Sequence, residues 1–191
     1  MSKISTSDIR NGLNIMLDGE LYTIQEFQHV KPGKGGAFIR TKLKGLVNDK
    51  TIDKTFRSGE NLEAIRVEKH AYQFLYRDEN LYYFMHQDTY EQVPLEEQKV
   101  RRSEFIKDNE TVNLMIDVEN DELLYAEPPD HVELEIAKTV PGIKGDTAQG
   151  GTKAATLETG AELQVPLFIS EGDVIKVDTH TSNYLERIKT A

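Results

Sequence analysis

Apolar and polar positions alternate along this chain in short bursts, and no stretch sustains the three-to-four spacing of an amphipathic helix. Leu21-Tyr22-Thr23-Ile24-Gln25-Glu26-Phe27 is rich in β-branched and aromatic residues. The Asp18-Gly19 pair just before it is the dipeptide that closes a two-residue hairpin. Over Ala37–Lys44, alternation puts Ile39, Thr41 and Leu43 on one side and Arg40, Lys42 and Lys44 on the other. Lys50–Phe56 continues the same sheet. Four or five strands within residues 1–64 predict a small SH3-like barrel.

A second group occupies 65–128. Ile65–Glu68 and Tyr72–Tyr76 read as one long strand or two, Arg77–Asn80 as a turn, and Leu81–Met85 as the returning strand. Val112–Val118 alternates, turns at Glu119–Glu122 and returns as Leu123–Ala126. With a short helix expected around Leu95–Val100, this is the pattern of an OB-type barrel. Pro128-Pro129 then punctuates the chain, since neither residue can donate a ladder hydrogen bond. Residues 129–191 repeat the theme. Val132–Ile136 alternates strictly, and a Gly/Thr-rich loop runs from Pro141 to Thr152. Short strands follow at Ala154–Leu157, Glu162–Val165, Val174–Val177 and Tyr184–Ile188. The expected fold is all-β: three consecutive small barrels, each burying its own core.

Composition narrows the chemistry. The 191 residues contain no cysteine, which removes disulfides, thiolate nucleophiles and cysteine-bound zinc or iron–sulfur centres. The five histidines are scattered, with no metal-ligand spacing. Gly145-x4-Gly150 lacks the lysine of a phosphate-binding loop, and no Gly-x-Ser-x-Gly elbow occurs. His131-Val132-Glu133 opens like a zinc deaminase motif whose cysteine half is missing. No enzyme, cofactor or metal is expected. The start of the chain lacks the apolar core of a signal peptide, and no apolar run reaches membrane-spanning length, so a soluble, cytoplasmic protein without a membrane partner is expected.

Charge changes the picture further. The net charge is −10, which argues against a nucleic-acid partner until the chain is divided. Residues 1–64 carry 10 Lys/Arg against 8 Asp/Glu, whereas 65–128 carry 7 against 15. Within 29–57, eight cations (Lys31, Lys34, Arg40, Lys42, Lys44, Lys50, Lys54, Arg57) face only Asp49 and Asp53. One end could meet an RNA backbone while the remainder resists it. A solvated hairpin face is the plainer reading of charge alone.

The most informative segment is Val30-Lys31-Pro32-Gly33-Lys34-Gly35-Gly36-Ala37-Phe38, which lies between two strands and should be a protruding tip. Pro32 fixes one φ, and Gly33, Gly35 and Gly36 permit the positive values that a tight turn requires. Taken alone, it is a glycine-rich turn with a lysine pointing into water.

Lys31–Phe38 resembles the tip of bacterial elongation factor P, and so do Lys153–Ile169 and Gly172–Thr179. The two motifs stand in the family's order and separation, and the resemblance covers the whole chain. It implies an L-shaped, tRNA-like stack with a KOW-type first barrel. It also implies a monomeric factor that binds the 70S ribosome between the exit and peptidyl tRNA sites and relieves stalls at consecutive prolines. Lys34 would reach the CCA end of a proline-carrying peptidyl-tRNA, supported by Lys31, Pro32, Gly33, Gly35 and Gly36. In the family this loop occurs with β-lysyl, aminopentanol-type and unmodified lysines, so a lysine-modifying enzyme is a further expected partner. Arg40, Lys42 and Lys44 would contact the tRNA backbone. Gly145, Asp146 and Thr147 match a loop near the exit-site codon, and Tyr184 and Arg187 match a pair facing the small subunit. Locally, those last two sites read equally as an Asx-type turn and a strand-edge aromatic beside a salt-bridged arginine. The competing functional readings are a general RNA-binding barrel protein and an elongation factor P-like paralogue without stall rescue.

Overall fold

The computed structural model describes residues 2–141 and 151–191. The described residues are built into strands, as the alternation requires, with three short 3-10 turns among them at Thr6–Asp8, Glu97–Lys99 and Ser103–Phe105. The first sheet contains β1 (Ser2–Ser5), β2 (Asn14–Leu17), β3 (Glu20–Val30), β4 (Phe38–Gly45), β5 (Thr51–Arg57) and β6 (Asn61–Ala64), in the order β1-β6-β2-β3-β4-β5. Asp18 and Gly19 both take positive φ, 52° and 82°, and close β2 onto β3 as the sequence predicts. β1, β2 and β6 have four residues each, too few for alternation to stand out, so the sheet is wider than the sequence pattern suggested.

The second sheet contains β7 (Val67–Asp78), β8 (Leu81–His86), β9 (Gln92–Glu96), β10 (Thr111–Asp117) and β11 (Glu122–Glu127), in the order β11-β10-β7-β8-β9. β7 is one long strand. β9 was not expected, because Pro94 lies at its centre. It is an edge strand, where a missing N–H costs no ladder bond. The expected helix at Leu95–Val100 shrinks to the single 3-10 turn at Glu97–Lys99.

The third sheet contains β12 (His131–Thr139), β13 (Thr152–Leu157), β14 (Glu162–Pro166), β15 (Val174–Asp178) and β16 (Asn183–Lys189), in the order β14-β13-β12-β15-β16. All five strands fall where alternation predicts them. By contact density the chain divides into two compact units, 1–70 with 115–125 and 71–114 with 126–191.

The cores differ from the expectation of three self-contained barrels. Within the first unit, Leu21 and Ile65 are buried with Leu124 and Tyr125, and Met16, Leu46, Val47, Val67 and Met115 pack around them. Within the second unit, Phe105 from the turn after β9 enters the core of the third sheet beside Leu134, Ile136, Leu157 and Ile175. Lys107 follows it with a 3.0 Å ion pair to Glu158. The Pro128-Pro129 punctuation is also anchored: Pro128 is buried, and the Thr179 hydroxyl donates to the Pro129 carbonyl at 2.8 Å.

The end of the third sheet is organised by a buried carboxylate. Asp173 accepts hydrogen bonds from the backbone N–H groups of Ser170 (2.9 Å) and Ala191 (3.0 Å) and faces the Arg187 guanidinium at 3.4 Å. Burial by itself would raise its pKa, but these donors outweigh that effect and hold it below the ordinary aspartate value.

Two expected outcomes follow from these anchors. Phe105→Ala should destabilise the third sheet by about 3–5 kcal/mol, the range for emptying a buried aromatic site, seen as a lower urea midpoint. Asp173→Asn should cost about 1–3 kcal/mol at neutral pH by mispairing buried donors. Because the folded pKa of Asp173 is depressed, its contribution is present above about pH 3.9 and is lost as pH falls through the lower folded value. Urea titrations between pH 7 and pH 2 should therefore show a gap between wild type and Asp173→Asn that closes on acidification. A gap independent of pH would show that the carboxylate charge plays no part.

Candidate nucleic-acid interface

The segment with the strongest positive charge begins where β3 leaves the barrel. β2 pairs with β3 only as far as Thr23, and a bulge at Gln25 then interrupts the register with β4. Beyond it, β3, β4 and β5 continue as a three-stranded arm out to the pairs Val30↔Phe38 and Phe38↔Arg57. The free edge of β3 carries Gln25, Glu26, Gln28 and His29, all exposed, which protects it against strand addition.

Cross-strand register assigns the two faces of this arm. One face carries Thr41, Ile39 and Phe56, all buried, and extends the barrel core outwards. Phe27 lies on that face and meets His29 edge-on at 5.5 Å. The other face carries Lys44, Lys42, Arg40 and Phe38 in sequence towards the tip. It forms an open groove of about 490 Å3 lined by Glu26, Gln28, Arg40, Lys42, Asp53 and Thr55.

The cations on this face are not equivalent. Lys44 lies 3.3 Å from Asp49, and Lys42 lies 3.7 Å from Glu26 with Asp53 opposite it on β5. Arg40 is flanked by uncharged Gln28 and Thr55, and among the described residues its guanidinium makes no ion pair. It stands 5.5 Å from the Phe38 ring centroid instead. The charge is therefore partly neutralised near the barrel and increases towards the tip, where Arg57, Lys31 and Lys34 are exposed. The sequence grouped Arg40, Lys42 and Lys44 together. The compensation at Lys42 and Lys44 comes from Glu26 and Asp49 on neighbouring segments and needs the register to be seen.

The tip spans seven residues, from Lys31 to Ala37, between the last paired residues. Ala37 is tied back by the Ser58 N–H at 3.0 Å. Gly35 alone of its three glycines has positive φ, 109°, with the Pro32 ring 3.9 Å from where a Cβ would stand. Gly33 and Gly36 have ordinary φ and nothing within 4 Å of a Cβ position. The expectation that all three glycines serve the turn geometry thus holds only for Gly35. Gly33 and Gly36 leave the backbone on either side of Lys34 uncovered, as suits close approach to another surface.

The other residues singled out by sequence lie elsewhere. Tyr184 is half-buried against the third core, opposite Val177. Arg187 pairs with Asp173 and stacks over Phe168 at 5.2 Å, leaving that ring 59% exposed. Gly145, Asp146 and Thr147 fall outside the described residues. Among the described residues no group of His, Asp or Glu could hold a metal ion, and no helix is long and apolar enough to cross a membrane.

Comparison with known proteins accounts for the three sheets in order. Residues 5–62 match the family described as Elongation factor P (EF-P) KOW-like domain, 67–125 the Elongation factor P (EF-P) OB domain, and 132–187 Elongation factor P, C-terminal. The chain is 50% identical over 186 residues to Elongation factor P of Amoebophilus asiaticus, covering 97% of this chain and 98% of the relative. It is also 50% identical over 185 residues to Elongation factor P of Moorella thermoacetica, covering 96% and 99%. Among solved structures, the eukaryotic translation initiation factor 5A from Methanococcus jannaschii shares the fold at a TM-score of 0.50 and 20% identity, covering 65% of this chain and 93% of that one. The all-β architecture, the basic arm, three family matches in order and 50% identity over nearly the full length converge: the chain belongs to the elongation factor P family of translation factors.

Proposed function

We propose that this protein acts in the cytoplasm as a monomer, binding the ribosome between the exit and peptidyl tRNA sites and promoting peptide-bond formation at consecutive prolines. The observation that carries this reading is Lys34 itself. It stands exposed at the end of a three-stranded arm, flanked by Gly33 and Gly35, with cations increasing in the same direction. The chain is organised as three barrels with boundaries near residues 64 and 129, and the arm extends from the first of them.

The physical task suits such a device. Proline is a poor acceptor because its ring fixes φ and its amine is secondary and hindered. Ordering the CCA end of the peptidyl-tRNA raises the rate by positioning, with no proton transfer from the factor. Lys34 supplies a long cationic side chain to that end, either unmodified or after extension by a lysine-modifying enzyme. Gly33 and Gly36 keep the surrounding backbone thin, so that the tip enters a crowded RNA cleft. Arg40 provides the strongest backbone contact to the tRNA on the arm, and Lys42 and Lys44 add weaker ones because each already faces a carboxylate. In the third barrel, Gly145, Asp146 and Thr147 contact the exit-site codon region. Tyr184 and Arg187 face the small subunit while also bracing the sheet.

Lys34→Ala should abolish stimulation of Pro-Pro synthesis in a reconstituted translation assay while changing folding stability by less than about 0.5 kcal/mol, as exposed substitutions do. Lys34→Arg should also fail if a modified lysine is required, because a guanidinium does not offer the modifying enzyme an amine. Wild-type rates from Lys34→Ala would refute the reading, and pausing effects scattered beyond Pro-Pro codons would favour a general RNA-binding protein.

The unequal pairing on the arm makes a graded prediction. Arg40→Gln should weaken ribosome binding more than Lys42→Gln or Lys44→Gln, and should reduce the salt dependence of the affinity by close to one phosphate contact. Equal losses from all three substitutions would show that Glu26 and Asp49 do not temper their lysines.

A further inference from the structure

The outward face of the second sheet carries an aromatic platform that the lysine arm does not use. In the register of β7, β8 and β9, Tyr76, Tyr83 and Pro94 form one row, and Asp78, Leu81 and Glu96 form the next row on the same face. The Tyr76 and Tyr83 rings stack with centroids 4.7 Å apart and planes 20° from parallel, yet Tyr76 remains 47% exposed. Leu81 and Tyr83 are half-buried, while Pro94, Asp78 and Glu96 are exposed. A stacked, solvent-facing tyrosine pair bordered by proline and leucine is a contiguous apolar surface of the kind that marks binding sites.

Its charge selects the partner. Neither row contains a lysine or arginine, and among the described residues Asp78 and Glu96 have no ion-pair partner. Arg77 belongs to the alternate row and is committed there, to the Tyr82 hydroxyl at 3.2 Å and Glu97 at 2.8 Å. Platforms that stack nucleic-acid bases come with cations for the phosphates, and here two free carboxylates occupy that position. The surrounding segment 65–128 carries 7 Lys/Arg against 15 Asp/Glu. A guanidinium satisfies both features together, stacking on a tyrosine face while its N–H groups fork onto a carboxylate. Tyrosine and arginine are also the side chains that dominate binding energy at protein interfaces.

We propose that the Tyr76–Tyr83 platform, with Asp78 and Glu96 as its acidic border, is a docking surface for an arginine-bearing segment of a basic protein. One arginine lies flat on the exposed Tyr76 ring and pairs with Glu96 or Asp78, and the apolar stem of its side chain rests on Leu81. The surface is independent of the Lys34 reading.

The test uses the full chain labelled for NMR and titrated with a short capped peptide carrying paired arginines. Shifts should concentrate at the rings of Tyr76 and Tyr83 and at the Glu96 side chain. Tyr76→Ser, at an exposed position, should weaken the peptide by about fivefold, the loss of a surface cation–π contact. Glu96→Gln should weaken it and flatten its salt dependence. The lysine analogue of the peptide should bind less tightly, and oligouridylate should leave the rings unshifted. Lys34→Ala should bind the peptide as the wild type does, which separates this proposal from the function proposed for the arm. The proposal is overturned if no shift occurs at millimolar peptide, if Tyr76→Ser binds the peptide as tightly as the wild type, if the lysine analogue binds equally well, or if oligouridylate perturbs the rings at lower concentration.

Discussion

The register of β3, β4 and β5 is the constraint on which the arm depends. Side chains alternate with a period of two, so a one-residue slip would send Ile39, Thr41 and Phe56 into water and bring Arg40 and Lys42 onto the core. Burial of Ile39 and Phe56 as far out as the last paired residues therefore does more than stabilise the sheet. It determines which face is cationic, and it holds the Val30↔Phe38 pair from which the glycine tip springs. The bulge at Gln25 separates the part of β3 bound on both sides from the part bound on one, so the arm is shaped by the same strand that completes the barrel.

How much of this was legible in sequence depended on how local each cause was. The third sheet was readable throughout because strands such as Val132–Ile136 alternate strictly and are bounded by turn residues. Asp18-Gly19 announced its hairpin for the same reason. β9 was hidden by Pro94, whose presence is compatible with a strand only at an edge, and edge position is a property of the whole sheet. At the tip, the exposure of Lys34 followed from its neighbours. The division of labour between Gly35, which bends the chain, and Gly33 and Gly36, which leave it bare, did not. The difference between Arg40 and the two lysines beside it was also invisible, since it is set by Glu26, Asp53 and Asp49 on other segments.

Phe105 and Asp173 show the same limit in the core. Nothing around Phe105 in sequence distinguishes it from a residue of its own sheet, yet it is buried with Leu134 and Ile175. Asp173 looks like one acid among many, but its oxygens collect two backbone donors and Arg187. Such residues make neighbouring sheets and chain segments depend on one another. Loss of either would reach beyond the segment that carries it. Arg187 illustrates the dual demand on an arginine that is both a brace and a candidate contact, with Phe168 left uncovered beneath it.

The pairing of β1 with β6 has a consequence for the order of events during synthesis. Ser2 is registered with Ala64, and Ser5 with Asn61, so β1 has no strand partner until β6 has been made. The β3–β4 hairpin, with its contacts close in sequence, can form while that edge is still waiting, because closing a short loop costs less entropy than closing a long one. The lysine arm can therefore be in place before the barrel is sealed, and the first sheet is closed by the capture of β1 on β6.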